Sequence, residues 1–166
     1  MATSVGSFSS LASTTGIFYV SESRRWSDGS SATTSGPELE LMRILELLRD
    51  EAIPNVVWIS GDVHFPFCIS YDPFGAGAPL CYEIGATPLH GLCLPKPADG
   101  RQDASLRPTV LYAGDVPFGG DLHNFGHCAV DDAGVATLSL HDAKGATLYQ
   151  VVLPPTINAK ANTLSV

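Results

Sequence analysis

The stretch that decides the fold is NVVWISGDVH, residues 55–64. Its first part, residues 55–60, is uncharged and largely β-branched or apolar, which is typical of a strand buried on both faces. Gly61 then permits a sharp bend, and Asp62 and His64 follow two residues apart, so both side chains can point to one side of an extended turn. Because α/β sheets place their binding sites at the carboxyl ends of strands, the stretch predicts a carboxylate and an imidazole at such an edge.

A helix is predicted directly before this strand. Pro37 fits the first turn of a helix, and the helix is expected to end by Pro54, because the residue before a proline avoids the α region. Between them, four aliphatic residues follow the i, i+3, i+4, i+7 spacing of one buried face: Leu41, Ile44, Leu45 and Leu48. Helix, short loop and buried strand make an α/β unit, so the expected fold class is α/β.

The rest of the chain is expected to be rich in β-strands. Prolines and glycines separate short apolar runs at residues 66–71, 80–86, 108–113, 125–130, 135–140 and 146–153. The last three runs are joined by the turn sequences DDAG and DAKG, residues 131–134 and 142–145, and are expected to form an antiparallel meander. Three regions follow: a polar N-terminal segment of little structure at 1–36, with a strand-like patch at 17–20, a domain at 37–155, and a loose tail at 156–166.

Composition narrows the class of protein. Hydrophobic residues make up 45% of the 166 residues and charged residues 16%, which is typical of a globular chain and not of a disordered one. No apolar run reaches the length of a transmembrane helix. The formal net charge of −8 and the lack of a basic patch argue against binding of a nucleic-acid scaffold.

The first sixteen residues leave the compartment open. They contain no charged side chain and no continuous apolar core, so no secretory signal is expected. Their serine-rich, acid-poor composition partly fits a transit peptide, and the alternative is that Met1 is not a natural domain start. The cysteines do not decide the compartment either: Cys68, Cys81, Cys93 and Cys128 contain no Cys-x-x-Cys pair, and they fit two disulfides or buried free thiols equally well.

Residues 55–64, preceded by the leucines of the predicted helix, resemble the late motif of PhoD-like alkaline phosphatases, a branch of the metallophosphatase superfamily. That family has a helix followed by an NVVFLTGDVH-like strand and turn. Residues 82–88 (YEIGATP) and 124–131 (NFGHCAVD) resemble its later segments, and 153–155 (LPP) resembles its terminal strand. The resemblance covers residues 37–155.

This resemblance implies the C-terminal portion of a metallophosphatase-type α/β/β/α sandwich, with a helix, a buried strand and a β-rich meander. It also implies a metal-dependent hydrolase of phosphoric monoesters or diesters. In such enzymes two metals, divalent or ferric (Ca, Fe, Zn or Mn), bind a substrate oxygen and a hydroxide nucleophile. Asp62 and His64 are the implied metal ligands, and His64 is the implied catalytic residue. Its imidazole needs an orienting acceptor, which the sequence does not identify.

Other polar residues are candidates for binding the phosphate ester substrate. His90 lies in a Thr-Pro-Leu-His-Gly loop, and His123 and Asn124 lie in a glycine-rich stretch at 113–127, whose glycines would allow close approach of a phosphate. The same stretch holds Asp115, Asp121 and His127, and its alternative interpretation is a loop with turn aspartates. Glu83 is expected to face either a pocket or the solvent, and His141 is expected at the surface.

The implied site is incomplete within this sequence. In the superfamily the remaining ligands come from motifs before the late turn, yet the only acidic residues before position 37 are Glu22 and Asp28. We therefore expect a truncated chain, or alternatively an inactive remnant that serves as a binding or regulatory module. A third alternative is an unrelated β-rich binding module. If strand 55–60 has lost its neighbours, its open edge is expected to promote self-association.

Overall fold

The structure is a computed structural model that describes residues 9–12, 37–61, 63–96 and 106–155. These residues form one helix and eight strands. The helix is α1 (Pro37–Asp50), and the strands are β1 (Ser9–Ala12), β2 (Val56–Ser60), β3 (Phe67–Tyr71), β4 (Cys81–Gly85), β5 (Pro108–Ala113), β6 (Asn124–Val130), β7 (Ala136–Asp142) and β8 (Thr147–Leu153). The strand-like patch predicted at 17–20, the tail predicted at 156–166 and Asp62 lie outside the described residues.

The strands form two sheets. The first has five strands in the order β1-β2-β4-β3-β5, and the second has three in the order β6-β7-β8. In the first sheet β2 runs parallel to both β1 and β4, whereas β3 runs antiparallel to β4 and β5. The second sheet is an antiparallel meander, as predicted from the turn sequences.

The two faces of the five-stranded sheet are covered by different layers. Helix α1 packs on one face, where Leu45 and Trp58 belong to the same buried cluster. The meander packs on the other face, where Val57 meets Leu138 and Leu140. The described residues thus form three layers, helix on sheet on sheet. The expected α/β class is confirmed in this coarse form, with most of the regular structure in strands.

Strand β2 is paired along both edges, so the open edge expected for it is wrong. Strand β1 pairs with it from Ser9 opposite Val56 to Ala12 opposite Ile59. The sequence of β1 is short and polar within a segment that was expected to have little structure, and it gave no strand signal. Both faces of β2 are buried at Val56 and Val57, although Ile59 remains 40% exposed. Self-association of the chain stays a prediction.

Helix α1 begins at Pro37 as predicted and ends at Asp50 through a Schellman motif. The amide of Ile53 donates to the Leu48 carbonyl (2.9 Å) and the amide of Ala52 donates to the Arg49 carbonyl (3.0 Å). Leu41, Leu45 and Leu48 are buried.

One residue predicted for the buried face of α1 lies at its margin. Ile44 is 37% exposed, because the helix turns by about 100° per residue and Ile44 therefore lies beside the arc shared by the three leucines. Ile44 as a core residue was therefore a wrong prediction.

All four cysteines of the chain are free thiols, and only Cys128 is exposed. Burial raises the pKa of both Cys68 and Cys81 to about 12, so these thiols are neutral core residues. Within the part of the chain that the structure describes, no helix is long and apolar enough to cross a membrane.

Candidate functional site

The predicted turn lies where two parallel strands end. Because β2 and β4 are parallel and Ser60 is opposite Gly85, the chain leaves both strands at the same edge of the sheet. The turn from Gly61 to His64 follows β2, and Ala86 and Thr87 follow β4. This is the edge at which α/β folds bind ligands, so the topology agrees with the position expected for the site.

The backbone of His64 has a conformation that residues other than glycine rarely adopt. Its φ is +63°, in the left-handed region that costs a non-glycine residue roughly 1–2 kcal/mol. Two hydrogen bonds hold it there: its amide donates to Thr87 Oγ1 (3.3 Å) and its carbonyl accepts from the amide of Leu94 (3.0 Å). A strained backbone conformation is retained only where surrounding contacts stabilise it, and such residues are frequent at functional sites.

The imidazole of His64 is oriented by a backbone carbonyl. Its Nδ1 lies 2.5 Å from the carbonyl oxygen of Leu92. Since a carbonyl only accepts, Nδ1 carries the proton, and in the neutral imidazole Nε2 then keeps its lone pair. Metal-bound histidines usually donate their other ring N–H in this way. Leu92 therefore provides the orienting acceptor that the sequence did not identify.

The fit to a metal centre is partial within the described residues. His64 has the donor chemistry of a metal ligand, whereas its predicted partner Asp62 lies outside the described residues. Among the residues that are described, no three His, Cys, Asp or Glu side chains converge where a metal could bind. The structure thus supplies one oriented imidazole, and its role as a ligand of a two-metal centre stays a prediction.

Residues 87–94, called here the 87–94 segment, connect His64 to the other predicted site residues. His90 lies on it, is exposed, and stacks on His123 with 6.5 Å between ring centroids. His123 Nε2 donates to the carbonyl of Gly91 (2.9 Å), and its Nδ1 lies 3.0 Å from Asp121 Oδ1. Hydrogen bonding to that carbonyl and to Asp121 raises the pKa of His123. Both ring nitrogens of His123 are therefore engaged within the protein.

Asn124 also contacts the 87–94 segment, and it does so from a fully buried position. Its Nδ2 donates to the carbonyls of Thr87 and Leu122, both at 2.8 Å, and its backbone amide donates to the carbonyl of Pro88 (2.9 Å). The side chain is 0% exposed. The structure thus brings His64, His90, His123 and Asn124 around one segment, while substrate contact by the last three stays a prediction.

The remaining candidates of the glycine-rich stretch do not gather at one point. Asp115 accepts from the backbone amide of Lys96 (3.3 Å). His127 lies on the exposed strand β6, with its ring centroid 6.3 Å from that of His141. His141 itself is half-buried, with Nε2 2.8 Å from Ser139 Oγ. Of Asp115, Asp121 and His127, Asp121 alone is linked to the 87–94 segment by the hydrogen bonds that the structure records among the described residues, and the link runs through His123.

Glu83 is a buried carboxylate beneath the turn, for which the sequence left two alternatives open. It is 0% exposed and lies on the helix-facing side of β4. Its Oε1 accepts from the hydroxyl of Ser60 (2.7 Å), the residue before the turn, and its Oε2 accepts from the hydroxyl of Tyr71 (2.9 Å). Burial, followed by the proximity of Glu83, raises the pKa of Tyr71 well above its usual value. Tyr71 is therefore a neutral donor, and Glu83 braces the end of β2.

An apolar surface borders the turn. Leu92, whose carbonyl orients His64, is 45% exposed, and Phe118 is 72% exposed. Phe118 directly precedes Gly119, whose amide donates to the carbonyl of Cys93 (2.9 Å) and whose added Cβ would lie 3.7 Å from Leu92 Cδ1. The candidate ligand therefore has an apolar neighbour as well as polar ones.

Comparison with known proteins adds no relative to this picture. No model of a known protein family matches the chain, and no curated protein matches it either.

Proposed function

We propose that this chain is part of a metal-dependent phosphoric ester hydrolase of the PhoD-like metallophosphatase type, in which the Gly61–His64 turn binds metal. The observation that carries the proposal is the His64 ring, with Nδ1 bonded to the Leu92 carbonyl and Nε2 left as a donor atom. The resemblance of residues 55–64 to the late motif of that family supports the same conclusion.

The ligand types suit this chemistry. An imidazole nitrogen and, by resemblance, the carboxylate of Asp62 are donors that suit zinc, iron and manganese. Bound metal ions polarise the phosphoryl group and lower the pKa of a bound water. A catalytic zinc takes about three protein ligands, so the ligands that complete the centre come from outside the described residues.

The surroundings of His64 suggest which substrates to test first. Leu92, whose backbone carbonyl bonds the His64 ring, carries an exposed apolar side chain, and exposed apolar surface near the site would suit the ring of an aryl ester. We therefore select p-nitrophenyl phosphate as the monoester and bis(p-nitrophenyl) phosphate as the diester.

The experiment compares four proteins after supplementation with zinc, manganese, iron or calcium: wild type, Asp62→Ala, His64→Ala and His141→Gln. His141→Gln is the matched control, since it removes a histidine of the meander that is bonded to Ser139. We expect both turn variants to lose metal binding and at least a hundredfold in turnover, while the control keeps both. Unchanged turnover in His64→Ala would sink the ligand assignment. Tight metal binding at the turn without turnover would favour the inactive remnant that acts as a binding module.

A further inference from the structure

The 87–94 segment is held on two sides. On one side it contacts His64 through the Thr87 hydroxyl, the Leu92 carbonyl and the Leu94 amide. Within the part of the chain that the structure describes, the three hydrogen bonds of the His64 backbone and ring thus all come from this segment. The conformation of the candidate ligand therefore depends on what holds the segment in place.

Three consecutive residues hold its other side. The amide of Leu122 donates to Cys93 Sγ (3.4 Å), His123 Nε2 donates to the Gly91 carbonyl (2.9 Å), and Asn124 Nδ2 donates to the Thr87 carbonyl (2.8 Å). Asn124 is also the first residue of β6, so it joins the meander to the site on the other sheet. Gly126, two residues on, lies so close that an added Cβ would stand 3.1 Å from that of Ala86.

Asn124 is the most constrained of the three. It is fully buried, and three of its hydrogen bonds, two from Nδ2 and one from its amide, reach carbonyls of Thr87, Leu122 and Pro88. Its Oδ1 is buried and has no hydrogen-bond partner among the described residues. A buried amide with an unsatisfied oxygen costs stability. If the only role of residue 124 were to fill space in the interior, an apolar side chain would be more stable there. What the amide contributes is its pair of donated hydrogen bonds.

We infer that Asn124 is a positioning residue for His64: by fixing Thr87 and Pro88 it fixes the segment that holds His64 left-handed, with Nδ1 protonated and Nε2 available to a metal. This role differs from the direct substrate contact that the sequence suggested for Asn124. The inference rests on the proposed function where it concerns metal affinity, and it is independent of it where it concerns the tautomer of His64.

The test uses isosteric variants with a matched control. Asn124→Asp removes the two Nδ2–H donors without changing the shape of the side chain, and Thr87→Val removes the hydroxyl that accepts from the His64 amide. The control is Asn55→Asp, because Asn55 Nδ2 also donates to a distant carbonyl, that of Pro154 at 3.0 Å, but does so at the opposite end of β2. Two readouts are taken on folded protein: zinc affinity by competition with a chromophoric chelator, and the His64 ring signals in ¹⁵N-histidine NMR spectra.

We expect wild type to show the Nδ1–H tautomer of His64. Asn124→Asp and Thr87→Val should each shift that tautomer and weaken zinc binding by about tenfold or more, as changes behind metal ligands do, while Asn55→Asp matches wild type. Unchanged His64 signals in folded Asn124→Asp and Thr87→Val would overturn the inference, as would an equal effect of Asn55→Asp. If wild type fails to bind zinc, the proposed function fails, and the tautomer shift alone then decides the positioning role. Should Asn124→Asp not fold, Asn124→Ala, which removes the same two donors without adding a charge, decides.

Discussion

Two kinds of turn in this molecule are held in opposite ways. In the meander, Asp131 Oδ1 accepts from the amides of Ala133 and Val135, and Asp142 Oδ1 accepts from those of Lys144 and Ala146, all within four residues. The turn at His64 instead takes its hydrogen bonds from Thr87 and Leu92, which are 23 and 28 residues away.

The difference shows which turns form from their own sequence and which need residues from distant parts of the chain. A turn that carries its own aspartate needs only its own sequence, so it forms wherever its strands pair. A turn whose key residue is strained and polar must be stabilised by distant parts of the chain, and those parts then fix the geometry of the site. The meander turns therefore depend on their own residues, whereas the turn at the edge formed by β2 and β4, the candidate site, depends on distant ones.

The largest expected loss of stability comes from replacing Glu83, which accepts hydrogen bonds from two neighbouring strands beneath the turn. Glu83→Ala removes the acceptor of both the Ser60 and Tyr71 hydroxyls and leaves a cavity, so we expect a loss of about 3 kcal/mol in the free energy of unfolding. Glu83→Gln keeps the shape and one acceptor, and should lose about 1 kcal/mol. Urea denaturation measures both, and an equal loss in the two variants would contradict the bracing role of the carboxylate.

The meander turns should lose less stability, and should lose it independently. Asp131→Ala and Asp142→Ala each remove two hydrogen bonds at exposed turns, for which we expect about 1 kcal/mol apiece. The turns lie at opposite ends of β7, about 20 Å apart, so the double variant should lose the sum of the two values. Urea denaturation of the three variants tests this, and strong non-additivity would mean that these turns are not locally encoded.

The strain at His64 is measurable by comparing two substitutions at that position. His64→Gly and His64→Ala both remove the imidazole, but glycine tolerates the positive φ of +63° and alanine does not. We expect His64→Gly to be more stable than His64→Ala by about 1 kcal/mol. If alanine is the more stable replacement, the left-handed conformation is not imposed on His64.

Introducing glycine at Ala52, whose positive φ is set by the end of helix α1, should give a smaller gain in stability. Ala52 closes helix α1 with a φ of +50°, at the position where glycine is the usual residue. Ala52→Gly is therefore expected to stabilise the chain by about 0.5 kcal/mol, measured as a higher urea midpoint. A loss of stability would contradict the Schellman ending.

The smallest effect concerns pH. Because the pKa of His123 is raised above 6.5 by the Gly91 carbonyl and Asp121, its contribution is complete below pH 6.5 and is lost as the pH rises through the raised value. The melting temperature of wild type should therefore fall more steeply across that window than that of His123→Gln. Equal slopes would show that His123 does not hold the 87–94 segment through its protonated form.

Local encoding also explains how much the sequence could predict. Helix α1, strand β2 and the meander of β6 to β8 followed from periodicity and turn residues, and β3 to β5 fall on short apolar runs bounded by prolines and glycines, because those signals are local. Strand β1 was missed because Ser9–Ala12 becomes a strand through pairing with β2 and not through its own composition. Ile44 was misplaced because its spacing alone does not define the width of the buried face.

The site was predictable only in part, for the same reason. His64 could be found because its motif is continuous in sequence. The acceptor that orients it could not, since any residue type can provide a backbone carbonyl, and Leu92 has no feature that marks it. Likewise, the buried state of Glu83 depends on Ser60 and Tyr71 of neighbouring strands, which no single stretch of sequence brings together.

The most direct test of the central claim is an anomalous diffraction map of crystals grown with zinc. We expect a peak about 2.0–2.1 Å from His64 Nε2, the usual zinc–nitrogen distance, with the Asp62 carboxylate among the remaining ligands and Nδ1 still bonded to the Leu92 carbonyl. A map with zinc bound elsewhere and none at this turn, or with Nδ1 as the ligating atom, would contradict the account.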